Sequence, residues 1–275
     1  MATERIQRAT TSDGVEIAGR VHGEGPPLVL VHGVTDDGDV CWESMLPFLE
    51  NDFTCYLMSN RGRGLSGDGP DHTRDGRIRD VTAFAESIGE PVALMGLSSG
   101  GLVALGAAAR SNVFTRVAAY EPALVHEAAN QDELAQVQQA MLSIIEAIEE
   151  GRAADAIGIF ADLVSNEDEM SELRERAYMT AAAPVAPALL DDLKQMRDAE
   201  SASPSDPEML AEITVPVQVI RGSESALQWF ADGVRHVAFH LPAATTTELP
   251  GAGHFGPLLR PEDVANEVIG FFRAA

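Results

Sequence analysis

Along the first 121 residues, β-branched or wholly apolar runs alternate with stretches whose apolar positions recur at helical spacing. The runs 27–31 (PLVLV), 53–58 (FTCYLM), 91–95 (PVALM) and 116–120 (RVAAY) are bounded by Gly, Pro or Asn. Continuous apolar runs of this length predict strands covered on both faces. Helical patterns fall between them at 42–50, 78–88 and 99–110, so the alternation predicts a parallel sheet with helices on both sides. Ahead of it, 4–10 and 15–21 flank Ser12-Asp13-Gly14 and predict an antiparallel hairpin.

The pattern changes over residues 123–210. No strand-like run occurs there, and Leu134, Val137, Met141, Leu142, Ile145 and Ile148 form one helical stripe. Ile157, Phe160 and Val164 continue the theme, as do Leu189, Leu193 and Met196, and such stripes belong to packing rather than to a cofactor box. The run SASPSDPE at 201–208 closes the segment as a loop. A strand at 215–220, a helix at 226–237, a strand at 245–249 and a last helix starting near Pro261 then complete the alternation. The fold class is α/β, with residues 1–122 and 211–275 forming a core and 123–210 a helical cap inserted into it.

Charge narrows the function classes. The 275 residues hold 19 Lys plus Arg against 43 Asp plus Glu, a net charge of −24. So acidic a chain repels nucleic-acid phosphate and anionic membrane surfaces. Hydrophobic residues at 45% and charged ones at 23% are an ordinary globular mix, which argues against disorder. No apolar stretch approaches the ~18 residues of a membrane span, and the first 14 residues lack the apolar core of a secretory signal, so a cytoplasmic protein is expected. Cys41 and Cys55 are too few for a disulfide framework or metal cluster, and no metal or other cofactor is expected. Of the 24 units of negative charge, 14 fall within 123–210, which favours a neutral small-molecule substrate. With a single lysine, Lys194, the acidity also suits a high-salt setting; oligomeric state is left open.

Candidate chemistry begins at Gly96-Leu97-Ser98-Ser99-Gly100, a G-x-S-x-G between an apolar strand and an Ala-rich helix. That context is what a nucleophile elbow demands: small flanking residues allow a strained turn that lifts the Ser98 hydroxyl clear of the sheet. The Ser99 amide, at the helix N-terminus, then points at a developing oxyanion. A second amide is expected from Val34, since Gly33 permits a tight turn after PLVLV; His32 is read as holding that loop. The base is expected late in the chain, at His254 in PGAGHFG, where imidazole titrates near neutrality. His22, His72, His126, His236 and His240 have no comparable placement.

Val31-His32-Gly33, Asn60-Arg61-Gly62-Arg63-Gly64-Leu65-Ser66, Gly96-Leu97-Ser98-Ser99-Gly100-Gly101 and Gly253-His254-Phe255 resemble, in order and spacing, the α/β-hydrolase fold superfamily, over essentially the whole chain. The resemblance implies an eight-stranded, mostly parallel sheet flanked by helices, and a Ser-His-acid triad of the serine-nucleophile esterase or lactonase kind. Similar proteins often carry the acid at the place of Ser225, which holds no charge. Glu121, at a site some members of the superfamily use, is the preferred replacement; Glu224 is the alternative, and absence of an acid is a third possibility. Arg61 and Arg63 are read as partners of nearby carboxylates rather than of an anionic substrate.

The expected activity is that of a serine hydrolase acting on a carboxylic ester, lactone or thioester through an acyl-enzyme. Cofactor-free perhydrolase or haloperoxidase chemistry and carbon–carbon bond hydrolysis are alternatives on the same residues. The non-enzymatic alternative is a ligand-binding protein on the same fold.

Overall fold

A computed structural model of the chain describes residues 4–124, 131–197, 203–241 and 243–274. His126, the start of the expected 201–208 loop and the side chain of Met196 lie outside the described residues. The hairpin pairs β1 (Arg5–Thr10) with β2 (Glu16–His22), closed by a turn in which Gly14 takes φ +84°. Then follow β3 (Pro27–Val31), α1 (Gly38–Trp42), α2 (Leu46–Leu49), β4 (Thr54–Met58), α3 (Arg74–Glu86), β5 (Val92–Leu97), α4 (Ser99–Arg110) and β6 (Phe114–Tyr120). The helices α5 (Gln131–Glu149), α6 (Ala153–Val164), α7 (Glu167–Glu175), α8 (Tyr178–Ala182) and α9 (Ala186–Arg197) come next, and no strand lies among the described residues between β6 and β7. The chain closes with α10 (Pro207–Ala211), β7 (Val217–Gly222), α11 (Gln228–His240), β8 (Thr245–Leu249), α12 (Gly256–Leu259) and α13 (Pro261–Arg273).

The eight strands form one sheet in the order β1-β2-β4-β3-β5-β6-β7-β8. β2 runs antiparallel to both neighbours, and every later pairing is parallel. All residues of β3 and β5 are buried, as uninterrupted apolar runs require. One face packs Val29, Val31, Leu94 and Val117 against α3 and α4, and the other packs Leu28, Leu30, Met95 and Ala118 against α1, α2 and α13. A third apolar cluster joins α5–α9 to Val34, Leu227, Phe230, Phe255 and Leu259, all at the C-terminal edge of the parallel strands.

Three elements differ from the sequence expectation. The loop expected over 201–208 gives way at Pro207 to α10, whose first turn accommodates the proline. The helix expected at 42–50 is two short helices. The Asp37 side chain accepts from the Asp39 and Val40 amides at 2.9 Å, which starts α1 earlier, and Pro47 lacks the N–H that would continue its ladder into α2. α3 begins at Arg74 instead of residue 78, because Thr73 Oγ1 accepts from the Gly76 amide at 3.1 Å and caps it there. Among the described residues no helix is long and apolar enough to cross a membrane.

The start of α4 lies so close to the end of β3 that Gly100 has no room for a side chain: a Cβ there would overlap the Val31 and His32 carbonyl oxygens. Backbone cannot yield as a side chain can, so Gly100→Ala is expected to lower unfolding free energy by about 2–3 kcal/mol. A urea titration followed by circular dichroism reads the difference.

Candidate active site

Ser98 joins β5 to α4 with φ 55° and ψ −119°, a left-handed conformation that costs a non-glycine residue free energy. The surroundings hold it there. Its amide donates to the Tyr120 carbonyl at 2.9 Å, and its own carbonyl accepts from Leu102 and Ala123 amides at 3.1 Å. Among the described residues only Glu121 and Ala177 share this non-glycine positive φ, and Glu121 (φ 41°) ends the strand next to β5. Two strained residues therefore stand side by side at one sheet edge.

His254 reaches the same edge from the loop after β8. Tyr120 Oη donates to the Gly253 carbonyl at 2.7 Å, tying that loop to the end of β6. The His254 ring is 2% exposed, stacks on Phe230 with centroids 4.4 Å apart, and bonds through Nδ1 to Glu121 Oε2 at 2.8 Å. Glu121 is fully buried, and its Oε1 accepts from the Gly222 amide at 2.9 Å and from the Ser225 hydroxyl. The residue at the usual acid position thus donates to a carboxyl supplied by the neighbouring strand. Glu224 stands apart: its exposed side chain accepts from Ser223 Oγ at 2.9 Å, and its backbone carbonyl from Asn166 Nδ2 at 2.9 Å.

The loop after β3 is set by its histidine. His32 Nε2 accepts from the Asn60 amide at 2.9 Å, so Nδ1 carries the proton and donates to the Gly33 carbonyl at 2.7 Å. Burial, with Arg63 adding to it, pushes the His32 pKa down to about 3, which keeps the ring neutral. The Gly33 carbonyl and the Val34 N–H belong to one trans peptide, so anchoring the first turns the second the opposite way. Arg63 donates to the Val34 carbonyl at 2.9 Å and to Asp192 of α9 at 2.6 Å. Arg77 and His72 also meet Asp192, at 3.4 and 3.3 Å. Burial alone would raise the Asp192 carboxyl, but the charges of Arg63 and Arg77, with the hydrogen bonds from His72 and Arg63, outweigh it and hold it well below the usual carboxylate range. Arg61 pairs with Asp80 at 2.6 Å and Asp13 at 2.9 Å, so both arginines of the Gly-rich loop meet carboxylates.

Two further acids converge here that the sequence pattern did not single out. Asp36, 3% exposed, accepts from Tyr178 Oη at 2.6 Å, and a Cβ built on Gly33 would lie 3.4 Å from Asp36 Oδ2 and 3.7 Å from Ser98 Cβ. Glu169 of α7, 5% exposed, accepts from the Phe255 amide at 3.0 Å. In sequence, Asp36 is hidden beside the helix-capping Asp37, and Glu169 passes for a first-turn helix acid. No group of three or more His, Cys, Asp or Glu able to hold a metal ion occurs among the described residues.

A family model described as Alpha/beta hydrolase family matches residues 28–267. The chain belongs to the alpha/beta hydrolase family. Among similar proteins of this hydrolase fold, the N-formylmaleamate deformylase of Pseudomonas putida is 37% identical over 94 residues. That match covers 33% of the chain and about a third (35%) of the relative. The 2-hydroxy-6-oxo-6-(2'-aminophenyl)hexa-2,4-dienoic acid hydrolase of Metapseudomonas resinovorans is 24% identical over 97% of the chain and 90% of its own length. An alpha/beta hydrolase structure from Sphaerobacter thermophilus superposes with a TM-score of 0.77 at 26% identity, covering 97% of this chain and all of that one.

In this hydrolase, burial raises the Asp36 pKa from 3.8 to about 6, against the opposing pull of Tyr178. The folded state therefore favours protonated Asp36: its contribution is fully present below pH 3.8 and is lost as pH rises through 6. The shift corresponds to about 2–3 kcal/mol. Asp36→Asn keeps an acceptor for Tyr178 and removes that loss. Its stability advantage over wild type, read by urea unfolding, is expected to grow from near zero at pH 4 to about 2 kcal/mol at pH 7.5.

Proposed function

We propose that this chain is a serine hydrolase cleaving a carboxylic ester, lactone or thioester of a neutral small molecule through an acyl-enzyme. The observation that carries the reading is the buried 2.8 Å bond between His254 Nδ1 and Glu121, set beside the strained Ser98 turn. Ser98 Oγ attacks the carbonyl carbon while His254 Nε2 takes its proton; Glu121 holds the imidazole by Nδ1–H and stabilises its charge. The Val34 and Ser99 amides receive the oxyanion, each donor contributing about 3–4 kcal/mol. Collapse breaks the bond to the leaving alcohol or thiol, which departs with the proton from His254. Water then attacks the acyl-enzyme with His254 again as base; the acyl–Oγ bond breaks, the His254 proton returns to Ser98 Oγ, and the acid leaves.

Residues 123–210 act in this reading as a cap over the sheet edge that bounds the acyl pocket, while 1–122 and 211–275 form the catalytic core. Three buried carboxyls, Asp36, Glu121 and Glu169, surround the reacting groups and favour uncharged acyl chains over carboxylate-bearing ones. A second reading, carbon–carbon bond hydrolysis by the same residues, draws support from the relative of that activity that aligns over 97% of the chain.

A p-nitrophenyl ester series from short to long acyl chains, run beside a vinylogous diketone, separates these readings. Ester turnover should vanish in Ser98→Ala; inactivity of the wild type on every substrate, or activity surviving in Ser98→Ala, would falsify the proposal. Glu121→Gln is expected to lower kcat by about 10³- to 10⁴-fold, because the imidazole loses its orienting acceptor. Glu224→Gln should stay within about twofold, as is usual for an exposed surface group.

A further inference from the structure

Glu169 makes an unusual contact for a residue in the first turn of a helix. Its carboxyl is turned away from the α7 N-terminus, whose cap is Asn166, and lies on the backbone of the His254 loop. Oε1 accepts from the Phe255 amide at 3.0 Å, the His254 amide also faces the carboxyl, and the buried Oε2 makes no close hydrogen bond of its own. The loop is shaped to receive it: a Cβ on Gly253 would overlap the Glu169 carboxyl. Gly253 carries no positive φ, so the glycine there serves this close approach rather than a turn. On its other side the loop is fixed by Tyr120 Oη on the Gly253 carbonyl and by Glu121 on the His254 ring.

The charged groups around this contact come from every element packed on it. His254 and Glu121 face it from the core. Arg260, at the start of α13, is held by Glu172 of α7 at 2.8 Å rather than by Glu169. Burial raises the Glu169 pKa, a cost the fold tolerates while the contact stands. A buried acceptor left half satisfied costs about 1–3 kcal/mol, so packing alone gives no reason to keep it there.

We propose that Glu169 is a positioning residue: its carboxyl clamps the 253–255 backbone and so holds the His254 ring on Glu121. The proposal extends the hydrolase reading, in which His254 is the base, and gives α7 a part in catalysis without contact to substrate. Glu121 fixes the ring from its Nδ1 side, and Glu169 fixes the backbone that carries the ring. The loop is thereby held between two carboxyls from opposite sides. Gln at 169 retains an acceptor for the Phe255 amide; Ala retains none.

The test compares wild type, Glu169→Gln and Glu169→Ala by proton NMR of the ligand-free protein and by kcat and KM on a short acyl ester. The NMR signal is the downfield His254 Nδ1–H, assigned by its loss in His254→Asn. Glu169→Ala should weaken or shift that signal and lower kcat by about 10- to 100-fold with KM changed less than threefold. Glu169→Gln should restore the signal and most of kcat. Gly253→Ala, which displaces the carboxyl, should mimic Glu169→Ala, and the double variant should be no worse than either alone. The proposal is overturned if wild type lacks the signal, if Glu169→Ala keeps it with kcat within twofold, if Glu169→Gln behaves like Ala, or if a variant loses Tm alone. A wild type that shows the signal, loses it in Glu169→Ala and turns over neither ester nor diketone would sink the hydrolase reading and leave the positioning of His254 standing.

Discussion

A carboxyl group with no solvent exposure must find its hydrogen bonds within the protein, and at Glu121 that requirement organises the sheet edge. Its partners are the Gly222 amide, the Ser225 hydroxyl and the His254 ring. They come from the last residue of β7 and the loops after β7 and β8, and β6, β7 and β8 are consecutive parallel neighbours, so their C-terminal ends present 121, 222–225 and 254 together. A different strand order would separate the donors from the acid. The positive φ at Glu121 turns the chain at the same point, and Ser98 is anchored to that turn through the Tyr120 carbonyl. Strain at both residues persists because the bonds around them leave the backbone no relaxed alternative.

Residues whose placement follows from chain pattern were legible in the sequence, and residues whose placement depends on loop approach were not. The strands at 27–31 and 91–95 were readable because burial on both faces writes an unbroken apolar run, and 116–120 because Val117–Tyr120 carries the same pattern after Arg116. The serine elbow and the late histidine were readable because each follows a strand and precedes a helix. The acid stayed divided between Glu121 and Glu224, since nothing in a linear sequence tells which carboxyl bends toward a distant imidazole. Ser225 was visible only as a missing charge; the structure shows it as a donor to the carboxyl on the next strand. Asp36, Glu169 and Asp192 went unmarked because each sits among other acids, where one buried carboxyl looks like its exposed neighbours.

The preponderance of Arg over Lys acquires a physical meaning at three positions. Arg61, Arg63 and Arg77 are almost wholly buried, and Arg61 spans Asp80 and Asp13 with its planar fork. A lysine would offer a more strongly hydrated point charge and no bidentate match. Arg63 does two jobs with one amino group, holding the Val34 carbonyl and meeting Asp192, so the loop that presents the Val34 amide is tied to α9. The acidity of the helical segment is thus of two kinds: many solvated surface groups, and a few inward carboxyls that fasten it.

Those fastenings surround the site from three directions. Asp192 of α9 meets the Arg63–Arg77 pair, Tyr178 of α8 meets Asp36, and Glu169 of α7 meets the His254 loop. Lifting the segment as a whole would break all three together, and stranding one partner of a buried ion pair costs about 3–5 kcal/mol. The apolar cluster shared by α5–α9 and Phe230, Phe255 and Leu259 opposes the same motion. The geometry therefore favours a site assembled before substrate arrives, in which helices and sheet-edge loops are one energetic unit. In the proposed mechanism, positions in the helical segment act on chemistry through the loops they hold, even where they never touch the reacting atoms.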